Sequence, residues 1–177
     1  MSSFFERWQE NNLRRRILRS SGANYTSGPV ASKQFVGVLF LARDLPMIQS
    51  VMRFITKVEA LGQPCVSIGF VPRRINPKVD YGHKHFSQTD QNLLGLPNNR
   101  HIVQFSRRNF STLINLDFEE TLPLHYLCGR ILARYKMGMS NEYPDLYDVR
   151  ILPSEDDSYE ETLEQALEIF NKTIART

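Results

Sequence analysis

Three carboxylates follow one apolar segment in the middle of the chain, and their spacing could support chemistry. Thr112–Leu116 is mostly apolar, and Asp117, Glu119 and Glu120 come just after it. Carboxylates placed together can bind a metal ion or act as a general acid and base. The same residues can instead cap the helix predicted next, in which Pro123 suits the first turn. Capping is the favoured interpretation.

Charged residues also follow the other predicted strands. Arg43 and Asp44 end the first strand, and Arg73 and Arg74 end the second. Ligands bind to parallel α/β sheets outside the carboxyl ends of the strands, so these ends predict a crevice. The candidate crevice residues are Arg43, Asp44, Asp117, Glu119 and His125. For His125, a packing or capping role is favoured over that of a general base.

Histidine and cysteine spacing does not predict a metal site. His83 and His85 would share one face of a strand and could pair on a metal, but no cysteine or third histidine lies at zinc-like spacing. Surface histidines are therefore the favoured interpretation. Cys65 and Cys128 lie far apart in apolar patterns without a CxxC motif, which predicts two buried thiols.

No glycine-rich phosphate loop occurs in the sequence. Neither GxGxxG nor GxxxxGK[ST] is found, and the loop after the first predicted strand, ARDLP, contains no glycine. This argues against a dinucleotide cofactor and against a P-loop enzyme, and no cofactor is expected.

The N-terminal segment is basic and aromatic, whereas the C-terminal segment is acidic. Residues 1–34 carry six Lys or Arg against two Asp or Glu, and residues 141–177 carry three against ten. In a helix over residues 1–20, four apolar side chains span about 140° of one face, and Leu13 and Ile17 lie off that stripe. The residues predicted to contact a partner are Phe4, Phe5, Trp8, Arg14, Arg15, Arg16 and Arg19.

Three roles for this helix stay open. It could pack on its own domain or onto a partner protein, lie on an anionic membrane surface, or bind RNA or an acidic protein. Packing within the protein or onto a partner protein is favoured over the other two.

The rest of the chain alternates between predicted strands and helices. Strands are expected over residues 35–42, 64–71, 101–105, 112–116 and 148–152. Helices are expected over residues 1–20, 47–61 and 159–174, and the polar start of Ser87–Leu94 also suits a helix. Apolar residues at helical spacing from Leu124 to Tyr135 predict a further helix, which ends before Gly138.

These elements predict an α/β fold: a single three-layer Rossmann-like domain over residues 35–177, with a mostly parallel sheet of about five strands. Residues 1–34 are expected to form a basic helical arm and linker. The strands over residues 36–42 and 112–116 should be interior, because they are largely apolar on both faces. The side chains expected to be buried in them are Val38, Phe40, Ile114 and Leu116.

Several short motifs resemble a small α/β family, common in Bacteroidota, that is known only as a domain of unknown function. The motifs are Phe86–Asp90, Leu94–Pro97, Leu113–Asp117, Leu122–Tyr126 and Tyr147–Asp148. This resemblance covers roughly residues 35–170. It implies a single Rossmann-like domain in a cytoplasmic bacterial protein, and no activity.

A second resemblance concerns the segment LINLDFEETLPLHYLCGRILARYKMG. It is similar in layout to the strand, loop and helix in the N-terminal domain of lipopolysaccharide heptosyltransferases. Those enzymes depend on a second, nucleotide-sugar-binding domain, which these 177 residues do not show. The likeness is therefore expected to be one of topology and not of chemistry.

The function predicted first is a non-catalytic accessory or binding module, which docks to a larger protein or ribonucleoprotein assembly, or to an anionic membrane surface, through its basic N-terminal arm. The alternative is a small enzyme or ligand-binding domain that uses the crevice at Asp44, Asp117 and Glu119. The expected location is the cytoplasm, with a peripheral position at the inner membrane left open.

Overall fold

The computed structural model describes residues 4–20, 34–72, 82–154 and 156–174. The predicted linker and the basic pair Arg73 and Arg74 lie outside these residues. The helices are α1 (Phe4–Ser20), α2 (Leu45–Ala60), α3 (Arg100–Ser106), α4 (Leu122–Arg130) and α5 (Tyr159–Ile174). The strands are β1 (Phe35–Leu41), β2 (Cys65–Val71), β3 (His85–Ser87), β4 (Phe110–Leu116), β5 (Ala133–Gly138) and β6 (Val149–Arg150). No helix among the described residues is long and apolar enough to cross a membrane.

The strands form one sheet in the order β3-β2-β1-β4-β5-β6, and every pair of neighbours is parallel. The predicted α/β fold is thereby confirmed, with six strands in place of about five. β1 and β4 lie side by side at the centre, as their apolar composition predicts. Val38, Phe40, Ile114 and Leu116 are all buried.

The helices cover both faces of the sheet. One apolar cluster joins α1, α3 and α4 to the sheet and includes Ile17 and Leu124. The other joins α2 and α5 to the opposite face and includes Val51 and Phe170. After β3 the chain returns to the other side of β1, and the crossover helices change face there. The carboxyl ends of β1 and β4 therefore flank the switch point at which α/β sheets bind ligands.

The segment Ala133–Gly138 is a strand and not the end of a helix, so the helix predicted to reach Tyr135 was wrong in its second half. α4 stops at Arg130 because the next residue, Ile131, turns to extended backbone. Beyond it, the backbone pairs in parallel with β4, from Ala133 beside Phe110 onwards. Pairing at an open sheet edge overrides the local helical spacing of the apolar residues.

Two shorter elements also differ from the sequence expectation. Residues predicted as a strand form α3, because the Asn99 side chain accepts a hydrogen bond from the Ile102 N–H (2.9 Å) and caps a helix. The helix expected from Ser87 is only a single 3₁₀ turn, Gln88–Asp90, held by a capping box.

The first helix packs on its own fold through the side opposite to the predicted apolar stripe. Leu13 and Ile17 are buried, and Ile17 joins the cluster that contains the buried residues of α4. The helices approach so closely that a Cβ on Gly129 would lie 2.2 Å from Ser20 Oγ. Asn12 Nδ2 also donates a hydrogen bond to the Leu94 carbonyl (2.8 Å). α1 is thus held by apolar packing and by polar contacts.

Candidate functional site

Asp117 lies at the carboxyl end of β4 and organises the turn into α4. Its carboxylate accepts hydrogen bonds from the Glu119 N–H (3.1 Å), the Thr121 N–H (2.6 Å) and the Thr121 hydroxyl (3.1 Å). The residue is only 1% exposed. Burial raises the pKa of Asp117 above its ordinary value, and the charge of His125 and these donors lower it in part. The carboxylate thus holds the loop that leads into α4. It does not cap the helix itself, because these donors all precede α4 and the N-cap residue Thr121 makes no side-chain capping hydrogen bond, so the helix-capping role favoured from the sequence was wrong.

The remaining crevice candidates meet beside Asp117, at the surface. Arg43 forms an ion pair with Glu119 across the switch point and lies 3.5 Å from the carboxylate of Asp44. Asp44 also caps α2, because its Oδ1 accepts a hydrogen bond from the Met47 N–H (2.9 Å). About half of each of these three side chains is exposed. The structure therefore brings together all five predicted crevice residues, because Asp117 also lies within 3.6 Å of the fifth, His125, and each of them has a partner within the protein.

The fifth candidate, His125, belongs to a buried polar network on the α4 side of the sheet. Its Nε2 atom lies 2.9 Å from Glu120 Oε2 and 3.6 Å from Asp117 Oδ2. Its Nδ1 atom lies 2.9 Å from the Tyr147 hydroxyl, which accepts a hydrogen bond from Asn115 Nδ2 (2.8 Å). Apart from Glu120, all of these residues are buried. The network connects β4, α4 and the segment after β5 to one another, although Asn115 Oδ1 has no hydrogen-bond partner among the described residues.

Glu120 joins this network to the loop after β5. Its carboxylate accepts hydrogen bonds from the Ser140 hydroxyl (2.6 Å) and from the N–H groups of Asn141 (2.8 Å) and Glu142 (3.2 Å). Burial raises the pKa of Glu120, but the contacts with His125, Ser140 and these two N–H groups outweigh it and lower the pKa to about 2. The backbone of Glu120 is left-handed, with φ at 54°, a conformation that non-glycine residues rarely adopt.

The loop after β5 in turn contacts α1. Arg14 Nη1 lies 2.9 Å from Glu142 Oε2 and 3.1 Å from the Tyr143 hydroxyl. Arg16 Nε lies 3.4 Å from Asn12 Oδ1, within the helix. Two of the four arginines predicted to contact a partner are thus engaged inside the protein.

The other predicted contact residues lie on the side of α1 that faces away from the fold. Phe4 is 87% exposed, Phe5 50%, Trp8 44% and Leu18 63%. Arg15 and Arg19 are exposed between them, and neither takes part in any of the ion pairs found among the described residues. The six residues that we call the outer face of α1 are Phe4, Phe5, Trp8, Arg15, Leu18 and Arg19.

A groove of about 540 Å³ lies between the inner side of α1 and the carboxyl edge of the sheet. Glu6 and Glu10 line one wall, and Thr121 and Pro123 from the start of α4 line another. Both acidic residues of α1 therefore face the groove. None of the five predicted crevice residues lines it.

Neither thiol has the environment of a nucleophile. Burial raises the pKa of Cys65 and that of Cys128 to about 12, which leaves both thiols protonated near neutral pH. Among the described residues, no three His, Cys, Asp or Glu side chains are grouped so that they could hold a metal ion.

Sequence reasoning missed the partners of His125. Asn115 is a polar residue in a largely apolar strand, but nothing local connects it with Tyr147, which lies 32 positions further on. The link depends on the parallel pairing of β4, β5 and β6, which brings the two segments together. The sequence offered as signals the polar Asn115 and the motifs that contain His125 and Tyr147, but not the contact between them.

The sheet order and the helices on both of its faces define an α/β protein with a Rossmann-like alternation of strands and helices. Residues 6–172 match the family described as "Family of unknown function (DUF6913)", and the chain belongs to that family. The expectation that the chain belongs to a family of unknown function is thereby confirmed. No curated protein and no solved structure matches the chain.

Proposed function

We propose that this protein is a non-catalytic binding module that docks to a larger assembly or an anionic surface through the outer face of α1. One observation carries the proposal: α1 is fixed to the fold by Leu13 and Ile17, yet four large apolar side chains on its other side stay exposed. A patch of exposed apolar side chains on a folded domain marks an interaction surface.

The charges on α1 support an anionic partner. Arg15 and Arg19 lie among the exposed apolar residues, whereas Glu6 and Glu10 line the groove on the inner side. Two exposed cations with no acid on the same face attract a negatively charged partner. Arg14 belongs to the attachment of α1 and not to the docking surface, because it contacts Glu142 and Tyr143.

The test is a pull-down from native cells with the full chain as bait. We expect the Arg15→Gln/Arg19→Gln variant to lose the bound assembly at an ionic strength at which the wild type retains it, because screening weakens exposed charges. The matched control is Arg107→Gln/Arg150→Gln, which removes two exposed arginines from other elements and should bind like the wild type. Equal retention by the outer-face variant and the wild type would refute the proposal.

A second candidate function is ligand binding at the switch point between β1 and β4, and Tyr159 is the observation that favours it. Its hydroxyl is buried and has no hydrogen-bond partner among the described residues. Burial raises the pKa of Tyr159, and the charges of Asp117 and Asp44 raise it further. A ligand at this edge could satisfy the hydroxyl. Thermal-shift screening of the wild type and Tyr159→Phe would test this, since a true ligand should stabilise only the wild type.

A further inference from the structure

We infer that the surface recognised by the outer face of α1 is an anionic lipid surface. This inference rests on the proposed docking function and names the partner's chemistry. The exposed apolar side chains lie near both ends of the helix, with Phe4, Phe5 and Trp8 in its first turns and Leu18 about 21 Å from Phe4 at the usual rise per residue. A flat surface can therefore meet apolar side chains at both ends of the helix while Leu13 and Ile17 hold the inner side in the fold.

The aromatic end of the helix suits the membrane interface. Phe5 and Trp8 stack with ring centroids 6.0 Å apart and planes at 21°. Phe4 beside them is the most exposed large apolar residue described, at 87%. Aromatic rings and leucines on one face of a helix insert at the boundary between headgroups and acyl chains.

The two arginines of the outer face fit the same arrangement. Arg15 and Arg19 have long apolar stems that can lie beside the inserted side chains while the guanidinium groups reach lipid phosphates. Anionic headgroups attract such cations within a Debye length of the surface. The acids of α1 do not oppose this attraction at close range, because Glu6 and Glu10 face the groove on the other side.

Leu18 favours lipid over RNA. A nucleic-acid surface offers phosphates to arginines and base faces to aromatic rings, but it offers little to an aliphatic side chain. Leu18 is 63% exposed at the far end of the same face. The acyl region of a lipid surface gives both kinds of apolar side chain the same favourable environment.

The experiment uses the full chain and its single tryptophan, Trp8, as the reporter. We expect the emission of Trp8 to shift to shorter wavelength with vesicles that contain phosphatidylglycerol, and to stay unchanged with phosphatidylcholine alone. Arg15→Gln/Arg19→Gln should weaken binding by about tenfold or more. Phe4→Ser/Leu18→Ser should weaken it comparably, and both residues are exposed enough to be changed without unfolding the protein.

Matched samples separate this inference from the docking function itself. The control Arg107→Gln/Arg150→Gln should bind vesicles like the wild type. No emission shift with anionic vesicles, or a shift that both outer-face variants retain in full, would overturn the lipid inference. Poly(U) or poly-glutamate bound through Arg15 and Arg19 in the absence of vesicle binding would also overturn it, while leaving the docking function in place. If the outer-face variants bind every probe and the cellular assembly like the wild type, both proposals fail.

Discussion

Asp117 makes three hydrogen bonds from a buried position, so replacing it tests whether the residue acts through stability. In the wild type, the three donors bond both carboxylate oxygens of Asp117. Asp117→Asn replaces one of these oxygens by an amide NH₂ group, so at least one of the donors from Glu119 and Thr121 loses its acceptor. We expect a loss of roughly 1–3 kcal/mol in the free energy of unfolding, measured by urea denaturation. Asp145→Asn removes an exposed carboxylate in a nearby turn and should be neutral. An unchanged midpoint for Asp117→Asn would contradict the role of these hydrogen bonds in holding the loop before α4.

Glu120 predicts a specific dependence of stability on pH. Its pKa is lowered from 4.5 to about 2 in the folded protein, so the folded state binds the proton less readily than the unfolded state does. The contribution of the ionised Glu120 to the free energy of unfolding is therefore complete above pH 4.5 and is lost as the pH falls towards 2. We expect Glu120→Gln to be less stable than the wild type near neutral pH, and this difference should shrink between pH 4.5 and 2. Asp117 titrates in both proteins, so its opposite shift largely cancels. If the difference in stability between the wild type and Glu120→Gln did not change with pH, the lowered pKa of Glu120 would be contradicted.

At the scale of single elements, the two sides of α1 should respond differently to substitution. Ile17 is fully buried against the sheet and α4, whereas Trp8 lies on the outer face. We expect Ile17→Ala to cost about 2–5 kcal/mol of stability, and Trp8→Ala to cost far less. Urea denaturation of both variants, followed by circular dichroism, measures the contrast. A Trp8→Ala variant as unstable as Ile17→Ala would mean that the outer face is part of the core.

Gly138 tests the register of β5 against its neighbours. A Cβ added there would lie 2.2 Å from the ring of Tyr147, which also bonds Asn115 and His125. We expect Gly138→Ala to displace Tyr147 and to lower stability by roughly 1–3 kcal/mol. The His125 ring signals in NMR should shift in the variant, because Tyr147 contacts Nδ1. A wild-type stability together with unshifted His125 signals would contradict this packing.

The sequence predicted those elements whose own residues decide their structure. β1 is apolar throughout, and α5 has regular helical spacing, so both were placed almost as the structure has them. β5 was not, because Arg134 and Lys136 make its pattern weak and its pairing with β4 is a long-range effect. The sequence of α1 has apolar residues on two faces, and either face could have been the buried one. Only the contact with α4 shows that Leu13 and Ile17 are buried. Asp117 holds the loop before α4 and does not cap the helix as predicted, because its donors are Glu119 and Thr121. The network around His125 depends on the sheet order.

At the scale of the whole molecule, the contacts of α1 predict that it unfolds together with the sheet. Besides Leu13 and Ile17, it is held by Asn12 on the Leu94 carbonyl and by Arg14 on Glu142. Breaking these contacts would expose the apolar side of α4, so a state with α1 detached should be sparsely populated. Trp8 is the only tryptophan, and its fluorescence reports on α1 alone, whereas circular dichroism reports on all the helices.

We therefore expect the urea transitions followed by Trp8 fluorescence and by circular dichroism to coincide, as in a two-state protein. Arg14→Gln should shift both midpoints together, while Arg15→Gln, which removes a neighbouring arginine without an ion pair among the described residues, should shift neither. A fluorescence transition at clearly lower urea than the circular dichroism transition would show that α1 is a separately unfolding arm. In that case the outer face would not be presented in a fixed orientation, and docking would have to order the helix at a cost in affinity.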